Sequence, residues 1–265
     1  MTATGTPAAT MDTTKPSAAR MYDYYLGGTH NFPADRELAE QVIASLPDTP
    51  RIMRENRAFL QAAVAHCARA GIRQFIDLGA GIPTQGPVHE TARAIAPDCR
   101  VVYCDIEETA VTYGRRILAD DDACGFVHAD LRDREGVLAH PETARLIDFD
   151  RPVALLMLSV LQFLPDRDDP AGTVAAYRDR LAPGSMIALS HATDEAFRDR
   201  SDGITSVYRR SSTPISYRSR EEIADLFTGL ELVPPGVVPV PVWGAGPAPA
   251  AREANGFCGV GVKKP

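Results

Sequence analysis

Five short apolar runs recur through the middle of the chain, with helical patterns standing between them. They read "RQFIDLGAG" at 73–81, "CRVVYCDIE" at 99–107, "GFVHADLRD" at 125–133, "VALLMLSVLQFLPD" at 153–166 and "SMIALSHAT" at 185–193. The intervening stretches include "VHETARAIAP", "ETAVTYGRRILAD" and "DPAGTVAAYRDRLAPG". Strands alternating with helices at this spacing predict a parallel, doubly wound sheet. The fourth run is the most apolar, as a central strand buried on both faces should be.

The flanks differ from this middle. Downstream, "SYRSREEIADLFTGL" opens with a capping box, Ser219 with Glu222, and continues as an amphipathic helix to Gly229. "LELVPPGVVPVPVW" and "GFCGVGVKK" predict two final strands, the first bent or interrupted by its prolines. Upstream, "PADRELAEQVIASLP" has helical spacing through Leu38, Val42, Ile43 and Leu46, and Pro47 ends it. In "TPRIMRENRAFLQAAVAHCARAG", Thr49 reads as an N-cap, Pro50 as the first helical residue and Gly71 as the C′ residue. The expected organisation is a flexible tail at 1–16, an N-terminal helical lid at 17–71 and an α/β core at 72–265, the last two forming one structural domain.

Bulk composition narrows the partners. A net charge of -7 over 265 residues argues against a broad nucleic-acid footprint. No apolar run is long enough to span a bilayer, and the opening lacks the basic and apolar regions of a secretory signal. Cys67, Cys99, Cys104, Cys124 and Cys258 are scattered without a CxxC spacing, so no metal site and no disulfide framework is signalled. A cytoplasmic protein with reduced, buried thiols is the expectation.

The first strand runs into Asp77-Leu78-Gly79-Ala80-Gly81-Ile82-Pro83-Thr84. Glycines there let the backbone turn tightly and approach a ligand. The second strand ends at Asp105, where an acid can accept bonds from ribose hydroxyls. This much serves NAD and S-adenosylmethionine (SAM) equally. A dinucleotide fingerprint, however, wants a third glycine where Thr84 stands, and a helix N-terminus with free N–H groups for the pyrophosphate. Pro83 and Pro87 each remove such a donor. A cofactor with a zwitterionic amino-acid tail and no phosphate tolerates this better. Asp130 closes the third strand, placed to accept from an adenine amino group. Thr84 and Gln85 either contact a methionine carboxylate or satisfy their own loop.

The blocks "ARMYDYYLGGTHNF", "ENRAFL", "GIRQFIDLGAGIPTQGPVHE", "VVYCDIE", "HADLRD", "RPVALLMLSVLQFLPDRDDP", "LAPGSMIALSHAT" and "ELVPPG" together resemble a bacterial family of S-adenosyl methyltransferases long catalogued as a domain of unknown function. The resemblance covers nearly the whole chain after the tail. It implies a Rossmann-like class I methyltransferase fold, a seven-stranded, mostly parallel sheet with its last strand antiparallel. It places SAM on Asp77, Gly79, Gly81, Asp105 and Asp130, with Ile106 and Leu131 beside the acids and Ser159 and Val160 beyond the fourth strand. Family members often carry Asp-Asn-Asp where this chain has Asp105-Ile106-Glu107, and often His where it has Gln162.

A methyl donor needs an acceptor site, and a small-molecule acceptor is the expectation. His191, just past the fifth strand, and His30, in the aromatic stretch "RMYDYYLGGTHNF", are the candidates for a catalytic base. Each alternatively bonds local backbone. Tyr22 is expected against the cofactor, and Tyr25, Asn31, Gln162 and Tyr208 toward the acceptor, with Gly27-Gly28 supplying the turn of a lid. Two rival readings stand beside methyl transfer: a SAM-binding sensor or accessory protein without turnover, and an NAD-linked oxidoreductase. The sequence leaves the oligomeric state open.

Overall fold

The computed structural model describes residues 12–195, 215–243 and 254–265. Strand β1 (Gln74–Leu78) is the hub of the sheet: β2 (Arg100–Asp105) lies parallel on one side and β4 (Ala154–Leu158) parallel on the other. Beyond β2 lies β3 (Cys124–His128), and beyond β4 lies β5 (Met186–Ala192), both parallel. The last strand, β8 (Gly256–Val262), runs antiparallel against β5. The order β3-β2-β1-β4-β5-β8 reverses direction between β1 and β4. Such a reversal leaves a crevice at the carboxyl ends of the strands, where ligands of this fold class bind.

The expected bent strand is two separate pieces, β6 (Glu231–Leu232) and β7 (Val238–Pro239), so among the described residues the sheet has eight strands rather than seven. Both pair with β8, at Val262 and Gly261 and then at Cys258 and Phe257. The break falls at Pro234-Pro235-Gly236, where two residues lack an N–H and Gly236 adopts a left-handed φ of 86°. The ladder resumes once the chain has turned.

Alternation along each strand sends neighbours to opposite faces. Phe75, Val101 and Ala188 join Phe59, Val64 and Trp243 in one apolar layer. Ile76, Val102, Leu155 and Ile187 join Val174, Tyr177 and Phe227 in the other. Helix α3 (Thr49–Arg69) covers the first face, and its start is one residue out from expectation: Asp48 is the N-cap and Thr49 the first helical residue. Gly71 follows its end with φ 97°, as a C′ glycine does. The capping box is present: Ser219 N donates to Glu222 Oε2 at 2.7 Å and Glu222 N to Ser219 Oγ at 3.2 Å. Upstream, α1 (Ala18–Tyr25) packs on α2 (Pro33–Ser45) through a small cluster of Met21, Tyr25, Leu38, Ala39 and Val42.

Candidate functional site

At the crossing between β1 and β4, Gly79 turns the chain with φ 71°. A Cβ there would overlap the Val160 side chain, so both conformation and space require glycine. Gly81 N donates to Asp105 Oδ2 at 2.7 Å, tying the loop after β1 to the end of β2. Above this turn opens a cavity of about 350 Å³. Its wall includes Asp77, Gly79, Gly81, Thr84, Asp105 and Ile106. Asp130, Leu131, Ser159, Val160 and Gln162 complete the strand-end side.

The acids of the wall are held differently. Asp77 is buried, and burial pushes its carboxyl up to about 7, against the pull of the Arg57 charge. Asp105 is also buried and also raised, by burial first, but it accepts from Glu107 N at 2.9 Å as well as from Gly81 N. Asp130 is held below the usual range, chiefly by Arg132. Arg132 donates to Oδ1 from its backbone N at 2.9 Å and from Nε at 3.0 Å, and to Oδ2 from Nε at 2.9 Å and Nη2 at 2.5 Å. The one Nε–H is shared between the two oxygens, so three N–H groups hold a carboxylate that offers about four acceptor sites. Asp130 thus stands on the cavity wall clasped by Arg132.

Helix α1 forms the roof. Tyr22 lines the cavity, its hydroxyl donating to Met53 O at 3.3 Å and accepting from Asn56 Nδ2 at 3.0 Å. Asn56 Oδ1 in turn accepts from Ser190 Oγ at 2.6 Å, and Ser190 Oγ from Ser159 N at 3.0 Å. A hydrogen-bonded chain thus joins the roof to the ends of β5 and β4. Arg20 anchors the same helix: its Nε reaches Asp35 at 2.8 Å and its Nη1 reaches Thr109 Oγ1 at 3.0 Å, all three residues buried. Ser17 bonds Glu107 across the same seam.

The turn after α1 is built around Asp23. This buried carboxylate accepts from His30 N at 2.8 Å, Asn31 Nδ2 at 2.9 Å and Thr84 Oγ1 at 3.3 Å. A Cβ at Gly28 would overlap it. Asp23 is a cavity-wall residue that sequence reasoning passed over among its aromatic neighbours.

Several expected residues stand elsewhere. His30 packs edge-on against Tyr113, with ring centroids 4.8 Å apart, and does not line the cavity. Asn31 is buried and consumed by the turn, bonding Asp23 and Gly28 O and accepting from Arg36. His191 is buried off the cavity wall, its Nε2 2.7 Å from Arg218 Nη1 and its Nδ1 2.7 Å from Ala192 O. Burial holds it down to about 4, so it is neutral and fully bonded rather than poised as a base. Gln85 is exposed and off the wall, while Tyr25 lines it with one edge and packs in the small N-terminal cluster with the rest. Gln162 is on the wall, its Oε1 accepting from Ala192 N at 3.1 Å. Tyr208 lies outside the described residues.

Arg57 and Asn56, both on the wall, went unnoticed as site residues in "ENRAFL". Their only signal was the polarity of two adjacent residues in a helix whose neighbours Phe59 and Leu60 are core.

A glycine turn with no space for a Cβ at Gly79, a buried strand-end acid beside it and a second at β2 together fit an adenosyl cofactor with an amino-acid tail. The comparisons agree. A family model described as S-adenosyl methyltransferase matches residues 4–264. A candidate methyltransferase from Thermobifida fusca is 38% identical, with a TM-score of 0.89, the alignment covering 98% of this chain and 99% of that one. A DUF574 family protein from Streptomyces avermitilis is 36% identical with the same TM-score, covering 95% and 99%. The plantazolicin methyltransferase BamL, solved with a desmethyl plantazolicin analogue and S-adenosylhomocysteine, is 10% identical with a TM-score of 0.54 over 93% and 96%, a likeness of fold alone. No curated protein matches the sequence.

Proposed function

Because the chain belongs to the S-adenosyl methyltransferase family, we propose that it transfers a methyl group from SAM to a small-molecule acceptor enclosed beneath α1. The observation that carries this reading is the roofed cavity at the β1/β4 reversal, sized for small ligands rather than a macromolecule. Its wall holds six carboxylates (Asp23, Asp77, Asp105, Glu107, Asp130, Asp168) against three arginines (Arg57, Arg132, Arg167), the wrong balance for a phosphate backbone.

SAM, when bound, supplies a methyl group already activated by its sulfonium. The protein's part is then alignment and enclosure. Gly79 and Gly81 admit the cofactor close to the backbone. Asp105 retains acceptor capacity on each oxygen for ribose hydroxyls. Ile106, Leu131 and Val160 give apolar walls for the adenine ring, and Ser159, Gln162 and Phe163 stand where an acceptor enters from the β4 side. Tyr22, bonded to Asn56, closes the roof against water.

Among the described residues no histidine lines the cavity, which favours acceptors that need no strong base, and it also favours the second reading, a SAM-binding protein without turnover. Calorimetry with SAM and NAD(H), followed by measurement of S-adenosylhomocysteine release over a panel of amine, phenol and thiol acceptors, separates the readings. SAM binding with turnover on at least one acceptor is the expected result. NAD(H) binding without SAM binding sinks it, and SAM binding with no turnover on any acceptor transfers the assignment to the sensor reading.

A further inference from the structure

A short 3₁₀ turn, Leu161–Phe163, follows β4 and carries Gln162 at its centre. The turn is held from behind by Arg218, which is buried. Its Nη1 donates to Leu161 O at 3.2 Å, and its Nη2 donates to Leu164 O at 2.9 Å and Asp166 Oδ1 at 2.6 Å. His191 Nε2, 2.7 Å from Nη1, is a further partner. Ser216 adds a tie of its own, its N donating to Gln162 O at 2.7 Å. A buried guanidinium committed to one short turn fixes how that turn presents its side chains to the cavity.

The Gln162 side chain is fixed as firmly. Only 6% exposed, it accepts from Ala192 N at 3.1 Å through Oε1. A backbone N–H can only donate, so this bond decides which end of the amide is oxygen and which is Nε2. Among the described residues Nε2 has no partner, yet it is not sealed off, and Gln162 borders the cavity. An amide does not titrate, so its N–H groups stay donors at every working pH. An unpaired donor this deep is a cost that a ligand oxygen removes and an ammonium does not. The wall offers an ammonium little else at this end. Asp23 is engaged by its turn, Asp105 by backbone N–H groups, Glu107 by Ser17, and Asp130 and Asp168 by Arg132. Asp77 stands at the end of β1, with the cofactor in the SAM reading. Around the amide, Phe163 and Leu164 from the same loop and Met53 and Leu60 from α3 give apolar surface.

We propose that Gln162 Nε2 reads a hydrogen-bond-accepting oxygen on the methyl acceptor, so that the acceptor is an apolar small molecule carrying a phenolic or carbonyl oxygen rather than an ammonium. The inference rests on the SAM reading above and names the substrate class it leaves open. A phenolic oxygen that itself takes the methyl group and a carbonyl beside the methylated atom present the same lone pairs, and they are the two sources to be distinguished.

The test is a ligand-detected NMR titration of the full chain, saturated with S-adenosylhomocysteine, with phenol, acetophenone, toluene and benzylammonium. At least one of the two oxygen fragments should bind wild type about 3- to 10-fold more tightly than toluene, the worth of one neutral hydrogen bond. Phenol in the lead indicates an oxygen that itself takes the methyl group, acetophenone a carbonyl handle beside it. Gln162→Leu should erase the preference. Gln162→Glu keeps an oxygen for Ala192 N but presents a carboxylate, so it should shift the preference to benzylammonium. The wild-type comparison needs no variant, so misfolding of a variant cannot mimic the result, and binding of S-adenosylhomocysteine identifies the variants that fold. Toluene binding wild type as tightly as both oxygen fragments overturns the assignment, as does a wild-type preference for benzylammonium. A preference that survives Gln162→Leu, or no binding of any of the four, overturns it too. No binding of S-adenosylhomocysteine by wild type would refute the cofactor reading beneath the inference, a different failure.

Discussion

Asp77 shows how one residue ties stability to binding. Its carboxyl titrates at 3.8 when exposed and near 7 in the fold. The folded chain therefore binds more protons than the unfolded chain between those values, and the contribution to stability present below pH 4 is lost as pH rises through 7. Asp77→Asn removes the titration: thermal stability of the unliganded variant should exceed wild type at pH 8 and match it near pH 4. A gain that persists unchanged at pH 4 would assign it to something other than charge burial. In the SAM reading Asp77 faces the ammonium of the cofactor's amino-acid tail, so binding runs the opposite way: an ammonium needs the ionised carboxylate. Affinity for S-adenosylhomocysteine should fall up to tenfold per pH unit below 7, and a flat profile from pH 5.5 to 8 would contradict this role. Asp77, Gly79 and Asp105 were legible in the sequence because strand ends and glycines carry their reasons locally. Asn56 was not, because what defines it is Ser190, 134 residues away. His191 is the mirror case: the sequence puts it just past the fifth strand, whereas it lies within β5, and Arg218, 27 residues on, meets its ring nitrogen.

Among elements, α1 depends most on contacts outside itself. It spans eight residues, too short to persist alone, and it is held through Arg20, Ser17 and the Met21–Tyr25 cluster. Arg20→Ala leaves Asp35 buried without its counter-charge, a loss of about 3–5 kcal/mol where a buried pair is broken. That loss should appear locally: amide exchange should accelerate across 17–35 while β1, β4 and β5 stay protected, and S-adenosylhomocysteine should bind more weakly. Uniform acceleration through the sheet would make Arg20 a determinant of the whole fold instead of a fastening for the roof. The order of the five parallel-run strands and of the helices beside them at 33–45, 49–69, 88–93, 108–117 and 170–180 followed from hydrophobic pattern, whereas α1 and the two short helices between β3 and β4 did not. The split of the penultimate strand did not, because how a chain passes two prolines and a glycine depends on which ladder it must rejoin.

At the scale of the molecule, ligand binding and stability are one quantity. S-adenosylhomocysteine at a hundred times its dissociation constant should add about 2.7 kcal/mol, or roughly 5–10 °C in midpoint for a chain of this size. NAD(H) should add nothing, and a shift of similar size with NAD(H) would refute the cofactor assignment. The roof has a further consequence, for the order in which the chain folds as it is made. Its fastenings join Ser17 to Glu107, Arg20 to Thr109 and, through Tyr22 and Asn56, α3 to Ser190. This segment docks on α2 through Met21 and Tyr25 and on α3 through Tyr22 as soon as those helices form, but its bonds to Glu107 and Thr109 wait for β2 and α4 (Glu108–Ile117), and the bond of Asn56 waits for β5. A nascent chain therefore carries a cofactor crevice whose roof stays unfastened from the sheet until Ser190 has been made.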